Sequence, residues 1–340
     1  MKLSEPISAV LAARICPRCL GSHLYLSRRR SDLEKALGAF WIRPLRCRDC
    51  NHRFWRVVRS RKQASARAST PSFNPVIAVF GAAMVGLRPI IEFMTFSFSL
   101  VAFDQVVNNA PNMLTMSGGQ FNIPITFRGP NGPAHQLGAT HSHATECLYA
   151  NVPGLKICTP ATPRDAKGLL KTAIRDDNPV LVLEAELLYS SKGMVEPEDF
   201  ELLIPLGKAE LKREGSDVTI ISYAQSVPMA TAAAEMLENN EEISAEVLDL
   251  RSIKPLDLEA ILQSVSKTHR VVIVEQDRPF CGVGAEICYR IQKEIFDSLD
   301  APIMRVAQED VPMPYNERLE RAVLPSVEKL ITAVKQVCYT

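Results

Sequence analysis

Two histidines two positions apart, His141 and His143, sit in the stretch 122–153, NIPITFRGPNGPAHQLGATHSHATECLYANVP. Imidazole exchanges protons near neutral pH, so a loop carrying two of them is a place for acid–base work. A short buried strand at 123–127 runs into this Gly/Pro/His loop, and helical spacing resumes after it. A strand that delivers a Gly-rich loop to a helix start is where open α/β sheets bind ligands. A second set is Cys16, Cys19, Cys47 and Cys50, in two CxxC pairs. Four thiolates so paired are the tetrahedral set of a structural Zn²⁺. The long gap between the pairs must then hold a hairpin or helix, at 31–40.

The composition sets the frame for both sets. With 340 residues, 46% hydrophobic and 23% charged, the chain has material for two or three domains with a large core. Residues 1–70 hold 16 Lys+Arg against 4 Asp+Glu, and residues 71–340 hold 23 against 34. A switch from +12 to −11 reads as two unlike pieces joined. Residues 1–14 lack the continuous apolar core of a signal peptide. The scattered Cys147, Cys158, Cys281, Cys288 and Cys338 are therefore expected to be reduced, buried thiols of a cytoplasmic protein. The most apolar run, 76–103, is interrupted by Arg88, Pro89 and Glu92, so it is core rather than a membrane span. Arg28, Arg29, Arg30, Arg53, Arg56, Arg59 and Arg61 with Phe54 and Trp55 could form a nucleic-acid surface. A solvated basic module is the simpler reading, and no nucleic-acid partner is expected.

Residues 1–57 thus read as a zinc-ribbon-like module and 58–75 as a linker without apolar periodicity. From residue 76 helical and strand patterns alternate. Helices are predicted at 78–85 (ended by Gly86) and 99–109, the latter with Leu100, Phe103, Val106 and Val107 on one face. Strands are predicted at 89–94, 123–127 and 179–183. Thr162-Pro163 with Asp165 is a helix start. After a polar connector at 189–200, a second unit is predicted with strands at 218–222, 245–248, 270–274 and 303–306. Its helices are predicted at 227–237, 256–264, 283–296 and 326–337. Alternation of this kind implies doubly wound parallel sheets.

The blocks PIIEFMTFSFSLVAFDQVVNNA, MSGGQ, PITFRGPNG, HSH, VPGLKICTPATPRDAKGLLKTAIRDDNPVLVLE, GVGAEI and DVPMPY resemble the β subunit of the pyruvate dehydrogenase E1 component. That family is transketolase-like and thiamine-diphosphate-dependent, and the resemblance covers roughly 76–340. It implies an α/β fold of two doubly wound domains: a transketolase pyrimidine-binding domain at 76–200, truncated at its N-terminus, and a transketolase C-terminal domain at 201–340. It also implies oxidative decarboxylation of pyruvate with acetyl transfer to lipoyl groups. The expected partners are an E1 α subunit in an α2β2 heterotetramer and the dihydrolipoyl acetyltransferase E2. By the same resemblance Phe98 packs on the aminopyrimidine of thiamine diphosphate. His141 becomes the active-site histidine, and His143 has no counterpart role and is expected to face solvent. Ile125, Ala173, Ile174, Asp176 and Asn178 match a K⁺ site. The unpaired carbonyls of a helix end and the Asp176 carboxylate are oxygen ligands suited to such an ion, although plain capping by Asp176 and Asn178 would use the same residues. No GDG element and no P-loop occurs, so the diphosphate and its Mg²⁺ fall to the α subunit.

The chain departs from the family pattern at its start. Thr70-Pro71-Ser72-Phe73 stands where the family has a TPxxE turn, and an ungapped count puts Ser72 at the Glu position. Residues 50–91 contain no Asp or Glu, so the carboxylate that bonds the aminopyrimidine is replaced. Loss of one acid–base group costs on the order of 10²–10⁴ in rate. The missing segment should also bare apolar surface near 76–85. Alternative readings are a catalytically impaired scaffold, the E1 β subunit of a related 2-oxoacid or acetoin dehydrogenase, and a nucleic-acid-associated protein with a vestigial enzyme domain.

Overall fold

The computed structural model describes residues 18–19, 24–26, 42–57, 75–195 and 201–340. Residues 1–74 and 75–340 form separate compact units. In the first, strands β1 (Leu24–Leu26), β2 (Ile42–Cys47) and β3 (Arg53–Val57) make an antiparallel sheet in that order. Leu45 and Cys47 are buried in it. The predicted element at 31–40 and nearly all of the predicted linker lie outside the described residues.

The second unit opens with α1 (Pro75–Met84), started by a proline that suits a first helical position. Gly86, at φ 94°, ends it as predicted, with the Gly86 and Leu87 amides donating to Ala83 and Ala82 carbonyls. The first sheet takes β4 (Ile90–Glu92), β5 (Thr126–Asn131), β6 (Lys156–Cys158) and β7 (Val180–Ala185), all parallel. Between β4 and β5 the helical stretch is not the uniform helix expected at 99–109. It is a 3-10 turn (Phe96–Ala102), a π turn (Asp104–Asn109) and α2 (Ala110–Met116). Pro111 cannot donate an amide to the residue four back and its ring crowds that carbonyl. The helix widens just before it, and the Ala110 amide reaches the Gln105 carbonyl. Val106 is therefore buried while Leu100 is not. The strand expected at 123–127 begins at Thr126, because Pro124 has no amide for a ladder and Ile125 turns back to the Ile123 carbonyl.

Helices α3 (Glu146–Ala150) and α4 (Pro163–Arg175) complete this half. The Thr162 hydroxyl accepts the Asp165 amide at 3.1 Å, as the predicted helix start requires. The second half contains β8 (Glu210–Arg213), β9 (Val218–Ser222), α5 (Ser226–Glu241), β10 (Ala245–Asp249) and β11 (Ser252–Lys254). It continues with α6 (Leu258–Thr268), β12 (Val271–Val274), α7 (Val283–Ile295), β13 (Met304–Val306), α8 (Glu317–Val323) and α9 (Val327–Cys338). Its sheet runs β13-β12-β9-β10-β8, parallel except for β8. β11 leaves its own half and pairs antiparallel with β6, giving the first sheet the order β11-β6-β7-β5-β4. One hydrophobic core accordingly runs through both halves, from Phe96, Phe127 and Leu183 to Ile221, Ile273 and Ile287.

The apolar surface expected to be bared near 76–85 is so only at its end: Phe80 and Ala83 are buried, while Val85 and the following Leu87, Ile90 and Met94, at and beside the edge strand β4, are exposed. Of the five scattered thiols only Cys158 is fully buried; Cys281, in a left-handed turn between β12 and α7, is exposed. No described helix is long and apolar enough to cross a membrane.

Candidate active site

The site is assembled around a close approach of backbones. Gly129 in β5 has φ 152°, and a Cβ there would lie 2.1 Å from the Phe93 carbonyl oxygen. Its missing side chain lets the end of β4 fold over β5, where the Phe93 amide donates to the Arg128 carbonyl at 2.9 Å. Phe93 then stacks on Phe127 and meets Phe96 edge-on, and Phe96 meets Tyr149 edge-on. The Ser99 hydroxyl bonds Tyr149. These contacts bury Phe96, Ser97 and Ser99 and leave the intervening Phe98 facing out of the turn, 43% exposed.

His141 ends a 3-10 turn (Ala139–His141) that starts at Gly138, φ 74°. The Thr95 hydroxyl reaches the His141 carbonyl at 3.5 Å, and Thr140 Oγ1 lies 3.0 Å from His141 Nδ1. With Nδ1 engaged, Nε2 is the nitrogen left for chemistry. The His141 ring meets Phe98 edge-on at 5.0 Å between centroids. The two residues carried over from the resemblance are therefore side by side.

His143 corrects the expectation of a solvent-facing residue. It is half-buried, and its amide and Nδ1 both lie 3.3 Å from Ser97 Oγ, while its carbonyl accepts the Gly132 amide. Burial and the nearby Arg278 charge lower its pKa, which keeps the ring neutral. Loop residues 139–145 curl back over 132–138, and the C-terminal half clamps them. The Gln136 amide donates to both oxygens of the buried Glu320 carboxylate, at 3.0 and 3.1 Å. Thr95, Ser97, Thr140 and Glu320 were not singled out from the sequence, since none stands in a motif with a chemical signature.

The residues expected around a cation do gather at the C-terminal end of α4. The Asp176 carboxylate accepts the Asn178 amide and side chain through Oδ1 and Lys156 through Oδ2. Burial alone would raise its pKa; Lys156 and the Asn178 donors outweigh that and hold it below the ordinary value. The Ile174 and Asp176 carbonyls accept Arg88, whose guanidinium also pairs with Asp177. The Ala173 carbonyl accepts the Asp176 amide and the Ile125 carbonyl accepts the Val180 amide. Asp176 Oδ1 already takes two donors, whereas the carbonyl oxygens each keep a second lone pair, and an all-oxygen set is chemically suited to a hard cation.

In the N-terminal unit one sulfur or thiolate each from Cys19, Cys47 and Cys50 lies within 4.8 Å of the others. Cys19 and Cys47 sulfurs are 3.5 Å apart, far beyond a disulfide. Sulfurs of a zinc tetrahedron stand about 3.8 Å apart. The three therefore fit a zinc; Cys16 lies outside the described residues.

A cavity of about 690 Å³ lined by Cys147, Lys254, Cys281 and Arg290 contains neither Phe98 nor His141. Phe98 and His141 are both exposed, on an open face.

Comparison with known proteins identifies both α/β halves. Residues 76–192 match the transketolase pyrimidine-binding domain and residues 207–330 the transketolase C-terminal domain. Pyruvate dehydrogenase E1 component subunit beta of Rickettsia felis is 52% identical over 259 residues, covering 76% of this chain and 78% of the relative. Subunit beta-1, mitochondrial, of Oryza sativa subsp. japonica is 51% identical over 261 residues, covering 76% and 70%. Among solved structures, a split-gene transketolase described as an inactive beta4 tetramer superposes with a TM-score of 0.64 at 23% identity. It covers 78% of this chain and 81% of its own, a likeness of fold. Through these matches over both α/β halves, the chain belongs to the family of pyruvate dehydrogenase E1 component β subunits.

Proposed function

We propose that this chain and an α-type partner form an α2β2 pyruvate dehydrogenase E1 that oxidatively decarboxylates pyruvate and passes the acetyl group to lipoyl groups of dihydrolipoyl acetyltransferase E2. The observation that carries the reading is the Phe98–His141 pair on an open face. Bound thiamine diphosphate supplies the nucleophilic carbon and the electron sink for decarboxylation. The exposed ring of Phe98 suits the aminopyrimidine, and its stacking would orient that ring. His141, steadied through Nδ1 by Thr140, would hold or move a proton at Nε2 as the acetyl group departs. The diphosphate and Mg²⁺ belong to the partner.

Co-expression with an α-type chain and assay of pyruvate-dependent dye reduction tests this. Turnover that falls about 10²–10⁴-fold in His141→Ala supports it; a stable but inert complex favours the second reading, a scaffold. That reading is motivated by Ser72 at the family's Glu position. A reduced basal rate is expected on the same ground.

Ile125, Ala173, Ile174, Asp176 and Asn178 would hold K⁺ and so brace the base of the sheet. A melting temperature that rises with KCl but not choline chloride, and no longer does so in Asp176→Ala, is the expected result. Cys19, Cys47 and Cys50, with Cys16, would hold Zn²⁺. The cytoplasm is the proposed compartment, on the scattered free thiols.

A further inference from the structure

Behind the His141 loop lies a group of buried carboxyls that the reaction above does not use. Glu146 opens α3, directly after the loop, and is fully buried. Glu275 and Asp277, also buried, follow β12 in the C-terminal half. Gln276 between them donates its side-chain amide to Glu146 Oε1 and packs against Gly132, where the loop begins. Asn131 accepts both the amide and the hydroxyl of Thr145, at 3.0 and 2.7 Å, and so ties the two ends of the loop together. Glu146 Oε2, Asp277 Oδ2 and Asn131 Nδ2 have no hydrogen-bond partner among the described residues.

The charges around this group do not balance if every carboxyl is ionised. Glu275 pairs with Arg305 and accepts the Gly284 amide at 2.9 Å. Asp277 accepts the Arg278 amide, and the Cys147 thiol and the Arg278 charge face it. Among the described residues no ion pair reaches Glu146: Cys147, Asn131, Gln276, Tyr223 and Asp277 surround it, and His143 of the loop is held neutral. An isolated buried carboxylate beside a second one is costly, so the proton stays on.

We propose that Glu146 is a positioning residue for His141: as a neutral carboxylic acid accepting from Gln276 beside Asp277 it keeps the loop on the C-terminal half, and its ionisation, which sets two buried carboxylates against each other across that junction, releases the loop. Burial and the Asp277 charge push its pKa up to about 8, which puts the release just above neutrality. The stability sign follows. Because the folded value lies above the unfolded one, the contribution is complete below about 4.5, falls as pH rises, and is gone above about 8.

The inference deepens the proposed function, but its test does not need turnover. The full chain, Glu146→Gln and Asp277→Asn are labelled with ¹³C-histidine and titrated by NMR from pH 5.5 to 9.5. The expected result is an inflection near pH 8 in the His141 and His143 signals, beyond each imidazole's own. It should be absent in Glu146→Gln, whose amide mimics the neutral acid, and shifted to lower pH in Asp277→Asn. In thermal unfolding the advantage of Glu146→Gln over the parent should grow from pH 5 to 8 and then level. Should Glu146→Gln fail to fold, the Asp277→Asn shift decides alone. A parent without the inflection, a Glu146→Gln variant that keeps it, or an Asp277→Asn variant that does not move it overturns the proposal. Loss of dye reduction with the inflection intact would count against the proposed function only.

Discussion

The Phe98 and His141 rings meet edge to face, 5.0 Å apart at an interplanar angle of 80°. One comes from a 3-10 turn after β4 and the other from a 3-10 turn after β5, so parallel neighbours in one sheet bring their C-terminal loops together. Phe98→Ala would remove both the wall for a flat ligand and the lateral support of the imidazole. Ring burial of this size is worth about 1.5–3 kcal/mol. Titration calorimetry on the α–β complex should show thiamine diphosphate bound about 10–100-fold more weakly, with Phe98→Tyr changed far less.

The fold of the site depends on one glycine. Gly129→Ala must force the new Cβ against the Phe93 carbonyl at a φ that alanine resists. A cost of about 3 kcal/mol or more is expected from strain and overpacking, read as a fall in the thermal midpoint. Gly81→Ala is the contrasting control. Its Cβ meets nothing within 4 Å and lies inside α1, so up to about 1 kcal/mol of stabilisation is expected.

The two halves are also joined by a buried ionic cluster. Asp165 at the start of α4 pairs with Arg251 at 2.8 Å and Lys212 at 3.2 Å, and Lys212 also faces Asp249 at 3.5 Å. Breaking such a group from one side strands the remaining charges, so Asp165→Asn should cost roughly 3–5 kcal/mol in denaturant unfolding. Burial pushes Asp249 up from 3.8 to about 7, against the pull of Lys212. Its folded value is above the unfolded one, so its contribution is complete below about 3.8 and lost as pH rises through about 7. Asp249→Asn should flatten the stability profile across that window.

Zinc binding predicts a separable response of the N-terminal unit. Phenanthroline or Cys47→Ser should release one equivalent of zinc, measured colorimetrically, and abolish protection of the Leu24–Leu26, Ile42–Cys47 and Arg53–Val57 sheet in hydrogen exchange. The strands of residues 75–340 should keep theirs, because those form a unit of their own.

Several elements were legible because the chemistry that makes them is local. Thr162-Pro163-Asp165 caps a helix wherever it stands, and the Thr162 hydroxyl does accept the Asp165 amide. The stretch 179–183 is apolar on both faces and falls in a buried central strand. The misplacements have local causes too: apolar side chains at 123 and 125 read as strand, yet Pro124 denies the ladder a donor. The scattered thiols misled for a different reason, since residue type does not report the turn that leaves Cys281 exposed.

What the sequence determined alone is therefore the alternation of helix and strand, the paired thiols and the family blocks with His141 and Phe98 in them. Each follows from neighbours in the chain or from a motif. Tertiary structure decided that β11 crosses to the other sheet, that His143 turns inward, and that Glu146 is enclosed beside Asp277. Those outcomes depend on which distant segments exclude water from a group, and burial of that kind leaves no mark in local spacing.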